Sequence, residues 1–302
     1  MSCSAPSRGR QWLAGFALTG AIACGQDAKP SATPEPTPKP TPELAQPSEA
    51  EVRALLQLPD RFALPAIPDY NPISAEKIEL GRRLFYDVRL SGNETQSCSS
   101  CHFQHLAFSD GLKTPKGSTG QQLHRNSPGL ANVVYFSTLT WANASLRHLE
   151  EQLPVPILSD NPIELGVSDG AREAVLARFD ADRTYRGLFR AAFPESESGA
   201  TVNKIVFALA SFCRTLVSAK SPYDRYIEGD KTALTDSQRR GLGLIGGERM
   251  ECFHCHSGTN LTVSYRDAKT TEDTARYPFF NDGLYNVDCE GAYQTEDQGL
   301  YD

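Results

Sequence analysis

The sequence predicts a mostly α-helical protein, and three observations predict it. Apolar residues recur at three- and four-residue spacing, strand-like alternation is scarce, and helix-start signals stand ahead of the apolar runs. Ser48 and Glu51 have capping-box spacing before VRALLQL. Ser74 is placed to cap AEKIELGRRLF. REAVLARFDADRTYRGLFRAAF sets Val175, Leu176, Phe179, Leu188 and Phe189 on helical faces. TVNKIVFALASFCRTLV carries the strongest period, through Val202, Ile205, Val206, Leu209, Phe212, Cys213 and Leu216. Thr235 and Gln238 open TDSQRRGLGLI with a second capping box. Loops rich in Gly, Pro, Ser and Asn separate these helices. Residues 86–140 and 257–301 hold few periodic apolar runs, a costly arrangement for a bare protein. A large apolar cofactor under each loop would supply the missing core.

The start of the 302-residue chain stands outside this fold. Residues 1–24 read as an export signal, with Arg8 and Arg10 followed by the apolar run WLAGFALTGAIA, too short for a comfortable membrane span. AIAC followed by Gly25 resembles a lipobox, which would make Cys24 a lipidated first residue; ordinary cleavage near Ala23 is the alternative. Residues 25–50 carry proline at nearly every second position from 34 to 42, so they favour polyproline II and act as a spacer. The net charge is −7, and more acidic once Arg8 and Arg10 are removed. With no basic patch, nucleic acid is not an expected partner; an acidic surface suits a basic protein partner.

Two pentads carry the chemistry. SCSSCH ends in Cys98, Cys101 and His102, and ECFHCH ends in Cys252, Cys255 and His256. C-x-x-C-H is the attachment signature of c-type haem. Cysteines three apart share one face of a helical turn and can form two thioether bonds to one porphyrin, while the next histidine swings under the iron. A thioredoxin-like pair or half a zinc site would need neither the histidine nor its repetition. Two covalent haems c are expected, with His102 and His256 as proximal ligands. The opposite face of each iron decides whether the protein moves electrons or performs chemistry.

The surroundings of these pentads resemble one family from about residue 74 onward: the bacterial di-haem cytochrome c peroxidases and their MauG-type relatives. ELGRRLFYDVRLSGNETQSCSSCH is similar to that family's approach to the first haem, FSDG and RNSPGLANV to the loop beyond it, and ASFCRTLVSAKSPYDRYIEGDKTALTDSQRRGLGLI to the inter-domain helix and the approach to the second. FFNDGLYNVDCEGAY is more similar to the MauG-like branch that includes the methanobactin-cassette di-haem enzyme, which oxidises a tryptophan of a partner protein. The resemblance implies two packed cytochrome c-like haem domains with long loops over each haem. The first, 51–216, would hold the peroxide-reactive haem. The second, 217–302, would hold the electron-transfer haem and is read as incomplete at its C-terminus.

The resemblance also implies site residues. Trp141 stands where the family has a tryptophan between the haems; by itself it would pass for core packing. Gln152 and Glu164 stand where the family has a distal glutamine and a distal glutamate. A carboxylate beside peroxide can shuttle a proton between its oxygens. Asn161, Pro162 and Glu164 would equally make an ordinary helix start as N-cap, N1 and N3. Asn126 matches a calcium ligand, though Asn before Ser-Pro is also a turn residue. Many members plug the first haem with a histidine where this chain has Ser118. His105, His124 and His148 are read as surface or structural. For the second iron the family uses a methionine or tyrosine from a segment with P-x-L-R-N and P-Y-x-H-D-G. Neither motif is in this sequence, Met250 sits too close to Cys252 to cross over, and Tyr285, Tyr293 and Tyr301 do not match. Cys213 is read as a core cysteine, and Cys289 has no assigned role.

The expected function is therefore a peroxide-dependent di-haem oxidoreductase of the periplasm or cell envelope. Its partners would be hydrogen peroxide and either a small electron-transfer protein or a protein substrate. The alternatives are a di-haem electron-transfer cytochrome and a haem-free thiol or metal protein.

Overall fold

The computed structural model describes residues 44–141, 143–271 and 279–280. The export signal, Cys24, most of the spacer, Cys289 and the three late tyrosines lie outside the described residues. Nine α-helices and five short 3-10 turns, with three isolated β-bridges and no strand, make up the regular structure of those residues.

Helix α1, Glu49–Leu56, begins at the capping box of Ser48 and Glu51. The spacer therefore ends earlier than 50; Gln46 Nε2 already donates to the Asp69 carbonyl at 2.8 Å. Helix α2, Ala75–Tyr86, is capped by Ser74, whose hydroxyl accepts from the Lys77 N–H. After it, residues 88–140 contain only 3-10 turns among loops, as the scarcity of apolar period predicts. Helices α3, Leu149–Gln152, and α4, Pro154–Leu158, are short.

The long apolar stretch from 172 to 193 is two helices, not one. Helix α5, Asp169–Ala181, stops where Asp182 turns extended and caps α6, Arg183–Ala192, by accepting from Thr184 and Tyr185 N–H. An aspartate is a better cap than a mid-helix residue, so it divides the period. Helix α7, Val202–Cys213, is buried nearly all round from Lys204 onward. It crosses α2 so closely that a Cβ at Gly81 would lie 1.9 Å from the Ala208 carbonyl oxygen. Only glycine allows this approach. The main core gathers on this crossing, with Leu80, Leu84, Phe85, Phe179, Phe189, Leu209 and Phe212.

Helix α8, Pro222–Ile227, was not expected from periodicity; its signal is Ser221-Pro222 with Asp224 at the capping-box position. Arg61 reaches Asp224 at 2.7 Å and Glu228 at 2.5 Å. Helix α9, Asp236–Ile245, starts at the Thr235–Gln238 box as predicted and buries none of its residues. The segment that follows the second pentad returns to the first half of the chain. Tyr265 stacks on Tyr135 at 5.7 Å and 3°. The Arg266 N–H donates to the Tyr135 carbonyl at 2.7 Å, and Ala268 N–H to Leu64 at 2.8 Å.

Candidate haem sites

Both pentads fold into the same local device. Residues Cys98–Ser100 and Cys252–His254 are 3-10 turns. In each, the second cysteine's N–H donates to the first cysteine's carbonyl at 3.2 Å. The histidine N–H donates to that same carbonyl, at 3.1 Å for His102 and 2.8 Å for His256. A 3-10 turn eclipses residues three apart, which puts both thiols on one side. Cys98, Cys101, Cys252 and Cys255 are all free thiols.

Each imidazole is then oriented by a backbone carbonyl. His102 Nδ1 is 2.6 Å from the Phe108 carbonyl, and His256 Nδ1 is 3.2 Å from that of Leu261. A carbonyl accepts only from a protonated Nδ1, so Nε2 is the ring nitrogen left to bind a metal. Burial pushes the His102 imidazole below its ordinary value against the opposing pull of the Phe108 carbonyl, which keeps it neutral as a ligand must be.

The two surroundings differ. Phe85 lies 6.4 Å from the His102 ring, 6.1 Å from Phe108 and 5.1 Å from Phe212. Burial pushes the Cys98 and Cys101 thiols up, and the Glu164 carboxyl adds to both shifts. Glu164 thus lies within electrostatic reach of the first attachment site, and burial raises its own pKa. It begins no helix: residues 160–163 form a turn with a cis Asn161–Pro162 peptide, and the next helix, α5, starts only after Ser168. The ordinary reading of Glu164 as a helix N3 residue is therefore corrected; the loop meets its neighbour instead. Ser118 N–H donates to the Glu164 carbonyl at 2.7 Å, and a Cβ at Gly117 would lie 1.7 Å from the Ile163 carbonyl oxygen. Asn93 Nδ2 holds the Ser118 carbonyl from the other side at 2.8 Å.

Gln152, at the end of α3, buries its Oε1 with no hydrogen-bond partner. Trp141 is 57% exposed on a loop closed by the Leu139 N–H to Leu146 carbonyl bond at 3.2 Å. His105 stacks on Phe103 at the surface, His124 is exposed, and His148 lies 3.4 Å from the Arg266 guanidinium. Asn126 is exposed, and its amide reaches only the Ser127 carbonyl, at 3.5 Å. No group of three or more His, Cys, Asp or Glu is placed to hold a metal ion among the described residues. Met250 is 56% exposed. Cys213 is buried and its thiol is pushed up to about 12 by burial, as fits a core cysteine.

Sequence reasoning missed a buried network beside the site. Glu150, Arg214, Asn71 and Lys77 are all buried and bonded in a chain. Nothing in their spacing signals it, because the four come from α2, α3, α7 and a loop.

A sequence model of the di-haem cytochrome c peroxidase family matches residues 75–232. This chain belongs to that family. Among its relatives, the cytochrome-c peroxidase IdrP1 of Pseudomonas sp. (strain SCT) is 37% identical over 73% of this chain and 56% of its own length. The methylamine utilization protein MauG of Methylorubrum extorquens is 33% identical over 83% of this chain and 74% of its own. A crystal structure of a MauG-like protein associated with microbial copper homeostasis superposes with a TM-score of 0.77 at 45% identity, covering 81% of this chain and 69% of that one. The chain thus spans between about half and three quarters of the length of these relatives.

The family implies haem c, and the residues present fit it. The free thiol pairs and the carbonyl-oriented imidazoles are what such a group requires of a chain.

Proposed function

We propose that the chain is a peroxide-dependent di-haem oxidoreductase of the cell envelope, with its two haem domains meeting near residue 216. Cys98 and Cys101 would hold the first haem with His102 beneath it; Cys252, Cys255 and His256 would hold the second. Bound in these places, haem iron supplies a site for peroxide at the first position and an electron relay at the second.

The observation that carries this reading is Glu164. It is a half-buried carboxyl whose pKa burial raises, within electrostatic reach of the first attachment site and not matched by any residue described near the second. A raised pKa lets the carboxyl hold a proton closer to neutral pH and hand it to an oxygen beside it. Gln152 orients the same guest through its amide. Burial pushes the His102 imidazole below its ordinary value, and the Phe108 carbonyl orients it. Trp141, exposed on the loop closed between Leu139 and Leu146, would pass electrons through its ring. Ser118, fastened by Asn93 and by the Glu164 carbonyl, supports a first haem that is open without prior reduction.

Whether the electrons come from a small carrier protein or from a residue of a protein substrate is the finer question. A calcium ion at Asn126 and lipidation of Cys24 belong to the same proposal.

The test is EPR of the ferric, haem-loaded protein, followed by peroxide kinetics of Glu164→Gln. One high-spin and one low-spin iron, with peroxide reaction slowed at least ~100-fold in the variant, is expected. Two low-spin irons and an unaffected Glu164→Gln would make the protein an electron carrier instead.

A further inference from the structure

The segment that follows the second pentad is fastened to it and then carries a stacked tyrosine. Val263 N–H donates to the Cys255 carbonyl at 3.0 Å, which ties the chain to the second attachment turn. Tyr265 comes two residues later, at most ~7 Å further along the chain. Its ring stacks on that of Tyr135, with centroids 5.7 Å apart and planes 3° apart. Ser264, just before it, meets Ser137 at 3.0 Å and Thr138 at 3.3 Å. On the other side, Val133 and Phe136 flank Tyr135 and pack in the core that Cys98 and Phe108 of the first site also join. The stacked pair therefore links the two parts of the chain that carry attachment turns.

The two phenols of this pair have different partners. Tyr135 is fully buried, and its hydroxyl donates to the Ala63 carbonyl at 2.7 Å. A peptide oxygen accepts a hydrogen bond but is far too weak a base to keep the proton. Tyr265 is half-buried, and its phenol is pushed up to about 12 by burial first, then by the charge of Asp267 and by hydrogen bonding to it. The Lys269 N–H and the Thr270 hydroxyl donate to Asp267 Oδ1 at 2.9 Å and 3.0 Å, and Oδ2 receives neither. A carboxylate is a base as well as an acceptor. That difference matters for electron loss, because an oxidised phenol is a strong acid and forms readily only where its proton has somewhere to go.

We propose that Tyr265 is an electron donor to the haem held by Cys252 and Cys255, with Asp267 accepting its proton. The inference rests on the peroxide-dependent reading above. Reduction of hydrogen peroxide to two waters takes up two protons and draws two electrons from the haem pair. Where no outside donor refills them, Tyr265 gives one electron to the second haem. Its O–H bond breaks, the proton passes to an Asp267 oxygen, and a neutral phenoxyl radical remains, hydrogen-bonded to the new carboxylic acid. The other oxidising equivalent stays with the haems. Tyr135 stays reduced, since the Ala63 carbonyl cannot hold its proton.

The test uses the haem-loaded full chain in its ferric form, with haem per chain counted first by pyridine haemochrome absorbance. Hydrogen peroxide is added with no donor protein, its consumption is followed, and samples frozen at intervals are read by EPR. A narrow organic radical signal is expected, and it should narrow further in protein made with ring-deuterated tyrosine. Tyr265→Phe, which keeps the stacked ring, should abolish the signal, and Tyr135→Phe should leave it. Asp267→Asn keeps an acceptor but removes the base, and should slow the signal's appearance by about 10²-fold. Peroxide consumed with no tyrosine signal overturns the proposal and leaves the peroxide-dependent reading standing. So does a signal indifferent to the deuterated ring, one that persists in Tyr265→Phe, or one that disappears in Tyr135→Phe alone. An unchanged rate in Asp267→Asn overturns the role of the carboxylate, and it does so even if Tyr265→Phe does not fold. A haem count below two, or peroxide left unconsumed, sinks the peroxide-dependent reading and this inference with it.

Discussion

Around the first pentad, Phe85, Phe108 and Phe212 close on His102 at ring distances of 5.1 to 6.4 Å, and α2 and α7 cross behind them. Around the second, the same 3-10 turn and the same carbonyl-held imidazole sit at the surface, and α9 leading into it buries nothing. The attachment device is thus local and needs only its pentad and a carbonyl five or six residues on. The pocket is tertiary, and only the first turn has one among the described residues. A half-buried carboxyl with a raised pKa accompanies that turn, which is why chemistry is proposed at the first site and electron passage at the second.

The comparison breaks most visibly at Glu164. Glu164→Gln should slow peroxide reaction by about 10²–10⁴-fold, whereas Met250→Leu beside the second turn should leave it unchanged in stopped-flow traces. Equal effects would mean that the two sites share the chemistry. Next in size is the buried Glu150–Arg214 pair. Glu150→Ala strands Arg214, and urea unfolding should show a loss of about 3–5 kcal/mol. Restoring most of that loss by adding Arg214→Met would confirm that the stranded charge is the cause.

Gly81→Ala drives a methyl into the Ala208 carbonyl and should cost about 1–3 kcal/mol or more by the same measurement. Leu244→Ala on α9, at 45% exposure, should stay within about 0.5 kcal/mol. A larger loss at Leu244 in the haem-loaded protein would show that the second side acquires a core of its own. The smallest effect is one of pH. Because the folded state raises the Glu164 pKa above its ordinary 4.5, the unfolded chain binds fewer protons than the folded one in the window just above that value. Stability should therefore fall as pH rises through the window. Glu164→Gln should remove that part of the slope in Tm measured against pH, and an unchanged slope would place the carboxyl in solvent.

Much of this was legible beforehand for stated physical reasons. Capping boxes at Ser48 and Thr235 and the cap at Ser74 are made by residues three apart, so they could be read directly, and α1, α2 and α9 begin where they indicate. The split between α5 and α6 was missed because the apolar period runs straight through Asp182, while a competing local bond stops the helix there. The helix start read at Asn161 fails for the converse reason. Its residues suit a cap, but the loop is drawn instead to Gly117 and Ser118.

The sequence by itself determined the two attachment turns, the ligand nitrogens they present, and the helices whose caps and apolar faces lie within a few residues of one another. Only the tertiary structure decided that Glu164 comes within electrostatic reach of the first site, that Gln152 carries a buried orphaned oxygen, and that Glu150 and Arg214 meet in the interior with two donors to spare. The reason is range. A turn or a cap is stabilised by groups close along the chain, whereas burial and field at a point are sums over segments the chain brings together from far apart.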